Sequence, residues 1–372
     1  MIFGDLKDKK RTLLNVLAGE IVLNIQGGTC MNKLMGVTVC ALSLASLFVP
    51  KVGIAQGKVK VEEHVKYLGY SNNIRLTNGT VELILTTDYG PRIMRYAFVG
   101  SGDNGNVFAT LPGVTLKTVL GDWRIRGGTR FWHSPENDPR TYVPDNTPIS
   151  YKILGPNSVE LIEPTEAATG IQKSATITLA PTGTKVTVVE HLTNKGLWAV
   201  NLAGWTLSAM HPGGKAILPQ EPFAGHGGSL LPARPVVLWT YTNMADHRWF
   251  WGKEFITLTQ DPNDSAPQKL GILNKQGWAA YDRDGLLFIK RFGFHPAAQY
   301  PDYNCNNEAY TNNEFLEMES VGPLTELQPG ATLTHTEHWW LFKNVELGHG
   351  EAGIAAAMHP IVQETAHQLN EK

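Results

Sequence analysis

Ser174-Ala-Thr-Ile-Thr-Leu179, Pro181-Thr-Gly183, Lys185-Val-Thr-Val-Val-Glu-His191: this stretch decides the fold class. Apolar and polar side chains alternate on both sides of a Pro-Gly turn, which is the pattern of two half-buried antiparallel strands joined as a hairpin. Working outward, Ile74-Arg-Leu76 and Thr80-Val-Glu-Leu-Ile-Leu-Thr-Thr87 flank the turn Asn78-Gly79 and make a second hairpin. Further strands are expected at Leu286 to Arg291, after the turn Asp282-Arg-Asp-Gly285, and at Leu333 to Phe342. No helical pattern of ten residues separates them, so a meander closing into one large antiparallel β sandwich is the natural architecture.

Composition agrees with an all-β class. Charged residues are 18% of the 372, while 37 Gly and 22 Pro supply many turns. A net charge of −2 provides no basic field for nucleic acid or an anionic membrane.

The organisation reads in four parts. Residues 1–30, with the charge run Lys7 to Arg11, resemble a leader rather than a fold element. Met31-Asn32-Lys33, the apolar run Leu34 to Val49 and the small residues Gly53 and Ala55 read as a signal peptide over 31–55, cut before Gln56. The apolar run is short for a stable membrane span, which places the mature protein in the periplasm or outside the cell. Residues 57–345 form the sandwich, and 346–372 a short helical tail interrupted at Pro360. Of Cys30, Cys40 and Cys305 only the last survives cleavage, so no internal disulfide is expected and Cys305 reads as structural.

Two stretches, Gly121 to Pro148 and Pro219 to Trp251, resist strand assignment and are crowded with Trp, Arg, His, Pro and Gly. Long loops of this kind are where a site is sought. If Phe315 to Ser320 is a strand, its period of two puts Glu317 and Glu319 on one face. They are then either a solvated face or a desolvated pair whose repulsion separates acid from base. His211, at the Pro-Gly turn ending Trp205-Thr-Leu-Ser-Ala-Met-His, is either a proton donor or a turn residue. Arg126-Gly-Gly-Thr-Arg130-Phe-Trp132-His133 combines guanidinium forks with aromatic rings, groups that suit a sugar's hydroxyls and its C–H face. No metal site is expected: His335 and His338 are three apart on a strand and face opposite sides. Arg126-Gly127-Gly128 lacks the phosphate-loop spacing, and no Gly-x-Ser-x-Gly elbow is present.

In order along the chain, Tyr89-Gly-Pro-Arg92-Ile-Met, Arg126 to His133, Met210-His-Pro-Gly-Gly214, Phe315-Leu-Glu-Met-Glu319, Leu327-Gln-Pro-Gly330 and His338-Trp-Trp-Leu-Phe342 resemble the galactose-mutarotase-like (aldose 1-epimerase) superfamily, in a bacterial branch. The resemblance covers most of the chain after residue 70 and implies a large β super-sandwich. It further implies cofactor-free acid and base chemistry at an anomeric centre, with Glu317 or Glu319 as base and His211 as acid. Arg92 and His133 are the binding and orienting residues it implies, and with Arg126, Arg130, Trp132 and Trp205 they make up the candidate sugar-binding set, for a mono- or oligosaccharide. Two features depart from the family: its earlier His-bearing loop is not reproduced, and no aromatic residue follows Pro212. The expected function is an exported aldose or uronate epimerase; the alternatives are a non-catalytic carbohydrate-binding protein and a polysaccharide lyase or glycosidase.

Overall fold

The computed structural model describes residues 58–370 apart from Ser229, so the expected leader and signal segment lie outside the described residues. The described strands form antiparallel sheets of four, ten and eight strands, and the all-β sandwich expected from the hairpins is what they build. Ile171–Leu179 and Val186–Asn194 each alternate buried and half-buried side chains along their whole length. They pair with Val188 opposite Ile177 and Val186 opposite Leu179, all four in the core. The Asn78-Gly79 turn joins Tyr70–Thr77 to Val81–Leu85, and the Asn78 side chain reaches across to the carbonyls of Ala180 and Gly183, tying the two hairpins together.

The ten-stranded sheet runs from Trp249–Trp251 through Leu286–Phe292 and Thr332–Phe342 to Ser150–Gly155. The eight-stranded sheet has the order Val236–Leu238, Gln268–Ile272, Asn307–Thr311, Leu316–Val321, Val200–Met210, Gly121–Ser134 and Thr110–Thr118, with Thr325–Leu327 pairing off this path. Alternation divides each strand's side chains between two environments. Leu270, Ala309, Leu316 and Met318 point inward and pack in one core with Phe288, Trp339 and Leu341 of the ten-stranded sheet. The intervening residues, among them Lys269, Tyr310, Glu317 and Glu319, are left for the outer face of the eight-stranded sheet, where they line a cavity.

Gly121 to Pro148, read from sequence as resisting strand assignment, opens with a 14-residue strand, Gly121–Ser134. Its alternation is hidden by a kink at Arg126, Gly127 and Gly128, which all have positive φ (53°, 87° and 67°). A Cβ at Gly127 would meet the Ala109 carbonyl oxygen at 2.1 Å, and one at Gly128 would meet that of Ile93 at 2.6 Å, so neither position admits a side chain. The kink shifts parity: Trp123 and Ile125 before it, and Arg130 and Trp132 after it, line the same cavity.

The tail is a single helix, Gly350–Asn370, that continues through Pro360. Ile354, Met358 and Ile361 form a stripe at helical spacing that packs on Phe255, Trp278, Ile289 and Trp340 of the ten-stranded sheet. That burial sustains a helix whose proline removes one backbone bond. No helix among the described residues is long and apolar enough to cross a membrane.

Candidate functional site

The cavity over the eight-stranded sheet has a volume of about 380 Å³. Neighbouring strands build its floor: Leu316–Val321 supplies Glu317 and Glu319, Val200–Met210 supplies Trp205 and Leu207, and Gly121–Ser134 supplies Arg130 and Trp132. The register sets Glu319 beside Leu207, and Leu207 beside Arg130, across three adjacent strands. Rings form the walls. Trp132 packs edge-on to Trp205 at 5.6 Å and to Tyr142 at 5.2 Å, and Trp239 and Tyr241 close the side nearest the strand Val236–Leu238.

The two carboxylates share this face, as alternation implies, and both are buried rather than solvated. Glu317 accepts a bond from Arg130 Nη1 at 2.5 Å, and the guanidinium lies over the Trp132 ring at 4.2 Å. Such a charge-assisted pair against an aromatic face holds both partners in one geometry. Glu319 accepts from Trp205 Nε1 and from Lys269 Nζ, each at 2.9 Å. Lys269 Nζ also stands 2.9 Å from Glu308, which is directly opposite Glu319 on the strand Asn307–Thr311.

This second cluster holds one buried cation between two buried carboxyls. Burial drives the Glu308 carboxyl well above the usual range, the Lys269 charge offsetting part of this and the neighbouring Glu319 adding to it. Burial raises Glu319 as well, with Lys269 opposing and Glu317 reinforcing. Lys269 itself loses stability as a cation through burial, but Glu308 and Glu319 outweigh this and raise it well above the ordinary lysine value. Burial thus raises both carboxyls of the pair against the opposing charge of Lys269.

Other residues expected at a sugar site lie elsewhere. Arg92, fully buried, bonds Asp145 at 2.7 Å and the carbonyls of Ile125 and Gly127 at 2.6 and 3.0 Å. It clamps the kink from behind. Arg126 bonds Asn146 and lies over the Tyr89 ring at 4.2 Å, outside the cavity lining. His133 is separated from Trp132 by alternation and lines a different pocket. His211 follows the strand end: its carbonyl accepts from the Tyr281 hydroxyl at 2.5 Å, and Arg283 and Asp284 are the charged groups acting on it. It does not line the cavity of Glu317 and Glu319, so the structure does not bring the acid and base implied by the resemblance together. Burial also lowers the His211 pKa. His335 and His338 bond Ser320 and Thr187 respectively, on opposite faces of their strand. Cys305 is buried, with its thiol pushed up by desolvation.

Lys269, Glu308, Trp123, Tyr142 and Tyr310 were not anticipated from sequence. Trp239 and Tyr241 lie inside the aromatic-rich loop 219–251, the signal that pointed to them. Nothing local marks Lys269 or Glu308, because only the strand order places them beside Glu319.

No protein-family model and no curated protein matches the chain. Among solved structures it is similar to a TPR-domain containing protein from Parabacteroides distasonis, at 16% identity over 75% of this chain and 49% of that one, with a TM-score of 0.49. The chain thus spans about half the length of that protein. It is also similar to a galactose mutarotase-like protein from Lactobacillus casei, at 10% identity over 73% of this chain and 100% of that one, TM-score 0.46. A galactose 1-epimerase from Lactobacillus acidophilus matches at 10% identity over 77% of this chain and 99% of that one, TM-score 0.39. The similarity to galactose-mutarotase-like structures read from the motifs is therefore found among solved structures, and it is distant.

Proposed function

We propose that the cavity binds a neutral pyranose and catalyses proton transfer at its anomeric centre, in a protein exported from the cell. One observation carries the reading: Glu317 and Glu319, two residues apart on one strand, face one aromatic cavity, Glu317 paired with Arg130 and Glu319 with a Lys269 that it shares with Glu308. Such a divergence is how two like groups are given acid and base roles. Glu317, a carboxylate paired with Arg130, is the base that takes the proton from the anomeric hydroxyl. Glu319, its carboxyl raised by burial, is the acid that protonates the ring oxygen as the C1–O5 bond breaks. Rotation of the resulting aldehyde and reversal of both transfers returns the other anomer and restores the enzyme. Trp132, Trp205 and Tyr142 offer faces for the sugar's C–H bonds.

Charge narrows the substrate. Arg130 and Lys269 are the lining cations, and both are already matched by Glu317, Glu319 and the underlying Glu308, while Glu136 adds another carboxyl at the rim. A uronate or sugar phosphate would meet no spare cation, which favours a neutral aldose. His211 has no part in this chemistry.

Polarimetry of freshly dissolved α-aldoses tests the proposal. The protein is expected to accelerate mutarotation, and Glu317→Gln to slow it by roughly 100-fold or more, with sugar affinity by calorimetry retained within about tenfold. Affinity without acceleration would establish a binding protein, and an unsaturated uronate product a lyase; either result ends the epimerase reading. Export is tested separately by N-terminal sequencing of the secreted protein, which should begin at Gln56.

A further inference from the structure

A second pocket, of about 380 Å³, lies on the other side of the strand Gly121–Ser134 and shares no lining residue with the first. Its walls are apolar, from Leu120, Pro139, Ile171, Val200 and Leu202. Two polar side chains that line it carry buried nitrogens without partners. His133 is 1% exposed, and neither ring nitrogen has a hydrogen-bond partner. Arg140 spends one terminal nitrogen on the Pro135 carbonyl at 2.6 Å, but its Nε is buried and unpartnered.

A buried donor left unsatisfied is costly, so two of them converging on one pocket need an explanation in a ligand. Their chemistry specifies it. The charges acting on His133 are Lys173 and Arg140, both cationic. Lys173 is matched by Glu163 and Glu166, whereas Arg140 forms no ion pair among the described residues. No carboxylate is among the residues that line the pocket, so the Arg140 charge is unmatched there. An anionic acceptor would satisfy both Arg140 Nε–H and an imidazole N–H, and the remaining walls require an apolar body.

We propose that this pocket binds a small organic carboxylate with an apolar body, its carboxylate between His133 and Arg140 and its hydrocarbon against Ile171, Val200 and Leu202. Ala168 is an exposed residue of the pocket lining. The site is independent of the sugar cavity, and its test does not pass through that reading.

Calorimetric titration of the full chain with octanoate, and with octanol as the uncharged control, decides the matter. Octanoate is expected to bind at one site, and octanol at least about tenfold more weakly, because it lacks the charge-assisted bonds. Arg140→Met, which breaks no ion pair of the fold, should weaken octanoate by at least about tenfold with the melting temperature held. Ala168→Trp, at an exposed lining position, should abolish binding by obstruction. Equal affinity for octanol, an unchanged affinity in Arg140→Met, unchanged binding in Ala168→Trp, or no binding of octanoate at millimolar concentration would each overturn the proposal.

Discussion

At the residue scale the cluster of Glu308, Lys269 and Glu319 links the chemistry of the cavity to the pH response of the fold. Burial makes the Glu308 carboxyl hold its proton to higher pH in the fold than in the unfolded chain, whose ordinary value is 4.5. Stability from this group is therefore greatest below that value and falls as pH rises toward the raised folded value. Lys269 acts on the alkaline side: its contribution is present below 10.5 and is lost as pH climbs through its higher folded value. Glu308→Gln removes this titration while leaving Lys269 paired with Glu319. Urea midpoints measured between pH 5 and 8 should fall less steeply in this variant than in the wild type; parallel slopes would show that Glu308 is ionised in the fold. On the acid side His133, its pKa lowered to about 3 chiefly by burial and then by Lys173 and Arg140, acts together with His335 and His338, which burial lowers to about 4. As pH falls from 6.5 the unfolded chain gains a proton on His133 that the fold refuses, so stability drops by up to roughly 1.4 kcal/mol per unit from this residue. His133→Gln should make this acid limb less steep, leaving the part due to His335 and His338, and bound octanoate should shallow it by stabilising the His133 imidazolium.

At the element scale the kinked strand is the part that makes the cavity. Three consecutive residues in the left-handed region shift the parity of Gly121–Ser134, so that side chains of odd and even number share one face. Arg92 holds the kink through the carbonyls of Ile125 and Gly127, which assigns it support of the site rather than contact with a ligand. Gly128→Ala should cost at least about 2 kcal/mol, from the left-handed backbone and the approach to the Ile93 carbonyl. The same substitution should lower sugar affinity by displacing Arg130 and Trp132, measured by chemical denaturation and calorimetry together. A neutral outcome in both would mean the kink is not required for the cavity. Period-two reading succeeded at Leu316–Val321 and Val186–Asn194, where alternation is unbroken, and failed at Gly121–Ser134, where it changes phase.

On the scale of the whole molecule, two large sheets share one core and each has a second, outer face. The C-terminal helix covers that of the ten-stranded sheet, and the cavity occupies that of the eight-stranded one. Arg291 further ties the helix down by bonding Thr365 at 2.9 Å. Each apolar side chain of the stripe contributes about 1.5 to 3 kcal/mol when buried. Truncation after His349 should therefore expose Phe255, Trp278 and Trp340, raise binding of a hydrophobic dye and lower the melting temperature; a truncated chain that melts like the full one would make the helix dispensable.

Local chemistry determined the hairpins, the all-β class and the common face of Glu317 and Glu319, because strand pairing and a period of two are written in neighbouring residues. Tertiary structure alone decided who meets those carboxylates. Lys269 and Glu308 reach Glu319 through strand order, and His211 misses the cavity because its strand has ended. His133 turns to a second pocket because it follows Trp132 by one residue and so faces the opposite way. Contacts between residues far apart in the chain depend on sheet order and strand phase, and neither can be read from spacing within a single segment.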